Sequence, residues 1–230
     1  MRLLVVAADP MEFRGIRFAG GPRKLSIAVD WARMGKMGGH EVLLIANGVG
    51  QKRAAAAVDQ GCAAFTPDRV ISFGFCGALD PQLTPAAVVV GSGVAAGGRQ
   101  YPAVPVAGNA PFTEGVVCSI DHIARTTEEK RRLRAEGGSV VEMEAGGVAE
   151  RAEALGLPLS CIRAVTDLAS EEMANDFNRA LRSDGHFGTM RIFGDALRQP
   201  GTRVPELIRL LRRSSMAARA LGDFFADCRF

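Results

Sequence analysis

Leu3-Leu4-Val5-Val6-Ala7-Ala8 places six apolar residues in a row near the start of the chain, and that unbroken run decides the fold class. A strand with one face in water alternates apolar and polar side chains, whereas a strand covered on both faces has no reason to alternate. Strand signals recur at 42–46, 70–75, 88–94, 116–120, 140–143 and 159–165, several of them continuously apolar. Helical patterns fall between and after them. Residues 51–64 are alanine-rich and follow Gly48-Val49-Gly50, and residues 144–155 close at Gly156-Leu157-Pro158, a glycine and proline stop. Residues 206–225 place Leu207, Leu210, Leu211, Ala217, Ala218, Leu221, Phe224 and Phe225 at helical spacing, which predicts a long amphipathic helix. The sum is an α/β protein, a central sheet covered by helices. No repeat or linker divides the chain, so residues 1–230 read as one domain.

Bulk properties narrow the function. A chain of 230 residues buries roughly 70% of its unfolded surface, enough for a single core. Its 27 glycines suit tight strand-to-helix turns, and aromatics at 6% are sparse for a surface that stacks on bases. Net charge is only +3, with the excess gathered at Arg203, Arg209, Arg212, Arg213 and Arg219 on the last helix, where it reads first as a solvated face. Small ligands are therefore favoured over nucleic acid. Cys62, Cys76, Cys118, Cys161 and Cys228 are far apart, odd in number and without metal-ligand spacing, so they read as small buried hydrophobes and no metal is expected. With no leader pattern and no long apolar run, the expected compartment is the cytoplasm.

Three carboxylates, Glu12, Glu144 and Asp167, lie at or just past the ends of strands, where open α/β sheets bind ligands. In Ser160-Cys161-Ile162-Arg163-Ala164-Val165-Thr166-Asp167 a buried strand delivers a hydroxyl and then an acid to the sheet edge. Partial burial there is expected to favour the protonated acid, as leaving-group protonation in glycosidic cleavage requires. In Val140-Val141-Glu142-Met143-Glu144-Ala145 two acids straddle a methionine, and either glutamate suits a pair of adjacent sugar hydroxyls because a carboxylate only accepts hydrogen bonds. Met143 offers soft apolar contact to a sugar. In Phe73-Gly74-Phe75-Cys76-Gly77 the glycines allow a ligand close to the backbone. Gly48-Val49-Gly50 fails as a dinucleotide fingerprint, because its third glycine position holds Arg53.

Taken together, Val141-Glu142-Met143-Glu144-Ala145, Ala164-Val165-Thr166-Asp167, Gly74-Phe75-Cys76-Gly77-Ala78-Leu79 and Glu12 resemble the purine nucleoside phosphorylase and methylthioadenosine/S-adenosylhomocysteine nucleosidase superfamily. The resemblance implies a single-domain three-layer α/β/α fold with a twisted mixed sheet partly closed into a barrel, in a homo-oligomer, with a dimer first among the options. It implies cleavage of the N-glycosidic bond of a purine, adenosine-type nucleoside by water or phosphate, with no cofactor beyond phosphate as a co-substrate. Asp167 then matches the acid at purine N7, Glu144 the ribose-diol binder, Met143 the methionine beside the sugar, and Glu12 the glutamate that orients water, with Glu142, Gly74, Phe75, Cys76, Gly77 and Thr166 around the substrate. Phe75 stands where family members place a serine or threonine, which leaves Ser72, or Arg14 and Arg17, as the residues to hold phosphate. A non-catalytic nucleoside-binding protein is the contrasting reading.

The stretch from Leu181-Arg182-Ser183-Asp184-Gly185 through Gln199-Pro200-Gly201 to the arginine-rich helix resembles the hopanoid-associated phosphorylase subgroup. That resemblance implies an adenosyl group on a large triterpenoid, a wide apolar mouth and a basic helix near a membrane surface. Residues 97–113 and 169–188 read as irregular, the second as a candidate lid over the strand ends.

Overall fold

The computed structural model describes residues 1–230. Ten strands form one mixed sheet: β1 (Arg2–Ala7), β2 (Ala19–Lys24), β3 (Trp31–Met37), β4 (His40–Ala46), β5 (Arg69–Ala78), β6 (Val88–Ala96), β7 (Arg99–Pro102), β8 (Thr113–Ser119), β9 (Val140–Glu142) and β10 (Leu159–Asp167). The helices are α1 (Gln51–Ala64), α2 (Thr127–Ala135), α3 (Ala145–Ala154), α4 (Phe177–Ala180), α5 (Thr189–Ala196) and α6 (Pro200–Asp227).

The sheet closes on itself through β5. One edge of that strand pairs with β10 along its length, while the other meets β1 over Arg69–Ser72 and then β9 over Gly77–Ala78. Pairings β10–β6, β6–β8 and β8–β9 complete a five-stranded barrel, from which β1, β4, β3 and β2 extend as an open wing.

Both faces of the sheet are buried, as the continuous apolar runs demand. Leu4 and Val6 join the cluster under α1 and α3, while Leu3, Val5 and Ala7 join the cluster under α6 with Leu221, Phe224 and Phe225. Close helix approach sets some positions as glycine. A Cβ on Gly222 of α6 would collide with the backbone of Gly15, and one on Gly147 of α3 with the backbone of Gln51 at the start of α1.

The differences from the sequence reading have local causes. Strands β2 and β3 pair antiparallel beyond β4. Strand β2 is exposed throughout and carries Gly-Gly-Pro, so it has no hydrophobic pattern to read. Strand β7 lies inside the stretch expected to be irregular, paired only to β6. Helix α2 buries only Lys130 and Leu133 among charged neighbours, leaving little amphipathic signal. Helix α6 starts at Pro200, six residues earlier than expected, because Pro200 at its first turn needs no hydrogen-bond partner for a backbone N–H. The segment expected as a lid holds only the short α4. No helix is long and apolar enough to cross a membrane.

Candidate active site

The C-terminal ends of β5, β9 and β10 open into one cavity of about 490 Å3, and Glu12, Phe75, Cys76, Gly77, Glu142, Met143, Glu144, Thr166 and Asp167 line it together. Residues separated by up to 155 positions in sequence thus share one space. The cavity joins two chemistries. Its inner end carries the acids, and its walls are Met173, Phe177, Phe187, Ile192, Phe193, Leu207, Leu210 and Leu211 from the 169–188 segment, α5 and α6.

Asp167 is aimed by a slip in the ladder. The register of β10 on β5 shifts between Val165 and Asp167, so Thr166 is the extra residue and Asp167 falls opposite Gly77. Only glycine fits there, since a Cβ would lie 2.8 Å from Asp167 Oδ2. Thr166 Oγ1 donates to Cys76 O (3.2 Å) and lies 3.3 Å from Asp167 Oδ1. The other oxygen, Oδ2, accepts from Lys130 Nζ at 2.6 Å. Burial is therefore not the only influence on this acid, because the buried ammonium of Lys130 faces it.

Glu144 occupies the first residue before α3. Its Oε1 accepts from Gly50 N (3.0 Å) and its Oε2 from Met143 N (3.4 Å), which leaves each oxygen a free acceptor position facing the cavity. Gly48-Val49-Gly50 thus orients a carboxylate rather than a pyrophosphate. Burial, then the neighbouring Glu142 charge, push the Glu144 carboxyl up to about 8.

Glu12 sits in a 3-10 turn at Pro10–Phe13, closed by a capping box with Asp9. Its Oε2 accepts from Ala8 N and Asp9 N, and its Oε1 from Phe75 N at 2.7 Å. One acceptor position remains on Oε1. Gly74 makes this possible, because a Cβ there would run into the Glu12 carboxylate. Burial raises the Glu12 carboxyl above its usual value despite those donors. Burial also holds the Cys76 thiol well above its usual range, which argues against a thiolate nucleophile.

Several expected binders do other work. Glu142 pairs with Arg163 Nη2 at 2.5 Å and accepts from the N–H groups of Glu144 and Ala145, so its Oε2 is taken up within the protein and the carboxylate is committed first to Arg163. Ser72 is fully buried and accepts from the same Arg163 nitrogen. Arg14 and Arg17 line a neighbouring depression with Arg219 and Asp223, outside the cavity. None of the three expected phosphate ligands reaches the acids. Sequence reasoning missed two buried cations, Lys130 and Arg163, and the apolar wall from α5. Arg163 was readable, since one charge inside an otherwise apolar strand demands a partner.

A model of the Phosphorylase superfamily matches residues 4–112 and 103–184. The chain belongs to the phosphorylase superfamily. This superfamily member is 26% identical over 188 residues to the 5′-methylthioadenosine/S-adenosylhomocysteine nucleosidase of Chromohalobacter salexigens, covering 69% of the chain and 80% of that protein. It is 28% identical over 170 residues to the Staphylococcus aureus enzyme of the same name, covering 61% and 75%. In fold, it matches the Streptococcus pneumoniae nucleosidase with the transition-state inhibitor MT-ImmA at TM-score 0.71, with 18% identity over 99% of each chain. The Helicobacter pylori futalosine hydrolase matches at TM-score 0.73, with 14% identity over 98% of this chain and 97% of that one. The superfamily member shares with these structures the mixed sheet closing into a barrel.

Proposed function

We propose that this enzyme of N-glycosyl bond cleavage acts on an adenosine-type purine nucleoside with a large apolar group at C5′, and that water is the nucleophile. The observation that carries the reading is the convergence of Asp167, Glu144 and Glu12 on one cavity, each with an oxygen position left open. Asp167 Oδ1 meets purine N7, the two free positions of Glu144 take the ribose 2′ and 3′ hydroxyls, and Met143 packs on the sugar. Glu12 Oε1 accepts the proton of the attacking water. The oxocarbenium-like transition state is positive at the sugar, which favours the ionised form of the two cavity glutamates as it develops. Relatives named as nucleosidases support the reaction class.

Water is favoured over phosphate because Ser72, Arg14 and Arg17 lie away from the acids and Phe75 lines the cavity at the turn. The apolar C5′ group is supported by the outer walls: 17 of the 27 lining residues are hydrophobic, more than a ribose needs. An adenosyl triterpenoid of the kind implied by the sequence resemblance is such a substrate.

Beside the mouth, Met190, Phe193, Leu197 and Leu211 are 85%, 57%, 73% and 63% exposed among Arg191, Arg198, Arg209 and Arg212. An anionic lipid surface complements that face in both apolar character and charge. Cosedimentation with phosphatidylglycerol vesicles but not phosphatidylcholine vesicles tests it, and self-association through the face in place of vesicle binding sinks it.

Adenine release from 5′-alkylthioadenosines, assayed with and without phosphate, tests the main reading. Release at the same rate in both is expected. Phosphate-dependent release with formation of a ribose 1-phosphate overturns the nucleophile, and tight adenine binding without release favours a nucleoside-binding protein.

A further inference from the structure

Lys130 is 1% exposed, on a helix whose Glu128, Arg131, Arg132 and Arg134 are exposed. Its ammonium has three donors, and each finds an acceptor: Asp167 Oδ2 at 2.6 Å, Leu168 O at 2.8 Å and Glu171 O at 3.1 Å. Nothing of this ion is left for a ligand, so its effect on chemistry passes through Asp167. Thr126 caps the helix by accepting from Glu129 N, and this fixes the turn that carries Lys130.

We propose that Lys130 is a positioning residue for the base subsite: it clamps Oδ2 so that Oδ1 alone meets the purine, and it supplies the countercharge that Asp167 needs as the leaving group departs. The role rests on the glycosidic-cleavage reading above. In the step, the C1′–N9 bond breaks with its electron pair going to the base, the Oδ1–H bond breaks as N7–H forms, and a carboxylate anion is left beside Nζ. Held at Oδ2, the ammonium stabilises the carboxylate that remains once the proton has passed to N7.

The same three bonds tie the acid to the pocket wall. Leu168 and Glu171 begin the segment that leads to Met173 and Phe177, and the Glu171 carboxylate is gripped by Arg213 of α6 at 2.5 and 3.0 Å. Lys130 therefore fixes the acid relative to the wall that receives the C5′ group.

The test is Lys130→Met, alone and with Asp167→Asn. Lys130→Met is expected to lower kcat for adenine release by about 10- to 100-fold with KM changed by less than about threefold. In the Asp167→Asn background, adding Lys130→Met lowers kcat by less than about twofold, since the group it acts through is gone. That double variant leaves no unpaired buried charge and keeps the test valid where the single variant folds poorly. Full kcat in folded Lys130→Met, a loss that falls on KM rather than kcat, or additive losses in the double variant overturn the role alone. Absence of adenine release by the wild type overturns the reading beneath it as well.

Discussion

Arg163 of β10 and Glu142 of β9 meet at 2.5 Å with side chains only 1% and 2% exposed, although β5 separates their strands in the sheet. Each ion depends on the other for its place in the core. Burial opposes the charge on Arg163, but Glu142 and the more distant Glu144 and Glu12 outweigh it, so the guanidinium is held as a cation. Removing one partner of such a pair costs about 3–5 kcal/mol, because the other is left buried and uncompensated. Arg163→Met is expected to lose stability in that range, measured by urea unfolding, and Arg163→Met with Glu142→Gln to recover most of it. A single variant as stable as the wild type contradicts the pairing.

Glu144 gives the free enzyme a pH-dependent stability. Its carboxyl titrates near 4.5 in the unfolded chain and at about 8 in the fold, so between those values the folded protein binds more protons than the unfolded chain. Stability contributed by the protonated group is present at low pH and is lost as pH rises through about 8. Glu144→Gln keeps the neutral shape and is expected to flatten the fall in Tm between pH 5 and pH 8. An unchanged slope in the variant rules Glu144 out as the source.

The sheet was legible because strands buried on both faces carry few polar residues, and none at Leu3–Ala7. The acids were legible because strand ends announce themselves in sequence, as Val165-Thr166-Asp167 does. What was hidden depends on tertiary pairing. Glu142 and Glu144 look equivalent two residues apart, and only Arg163, brought in by a different strand, ties one into an ion pair and leaves the other to backbone N–H groups. Lys130 sits in Thr127-Glu128-Glu129-Lys130-Arg131-Arg132, where nothing marks it off from its solvated neighbours. The cap pattern Thr126…Glu129 was the available sign of that helix.

Asp167→Asn keeps the shape of the base subsite but cannot release a proton to N7. Loss of a general acid is expected to lower kcat by roughly two to four orders of magnitude while KM stays within about tenfold. Steady-state adenine release gives both constants. Full turnover in the folded variant contradicts the assignment of Asp167 even if the reaction is right.

The apolar wall sets the last expectation. Ile192, Phe193, Leu207, Leu210 and Leu211 line the cavity beyond the sugar-binding acids, so a chain attached at C5′ leaves water as it lengthens. Each methylene buried is worth about 0.8 kcal/mol, or roughly fourfold in kcat/KM. A series of 5′-alkylthioadenosines from methyl to hexyl is therefore expected to climb in kcat/KM by up to that factor per carbon until the chain reaches the mouth. Leu210→Asp places a carboxylate in the wall and should flatten the climb while leaving the methyl compound least affected, since a short chain does not extend to that wall. A flat series in the wild type means that the wall serves packing and that the C5′ group points elsewhere.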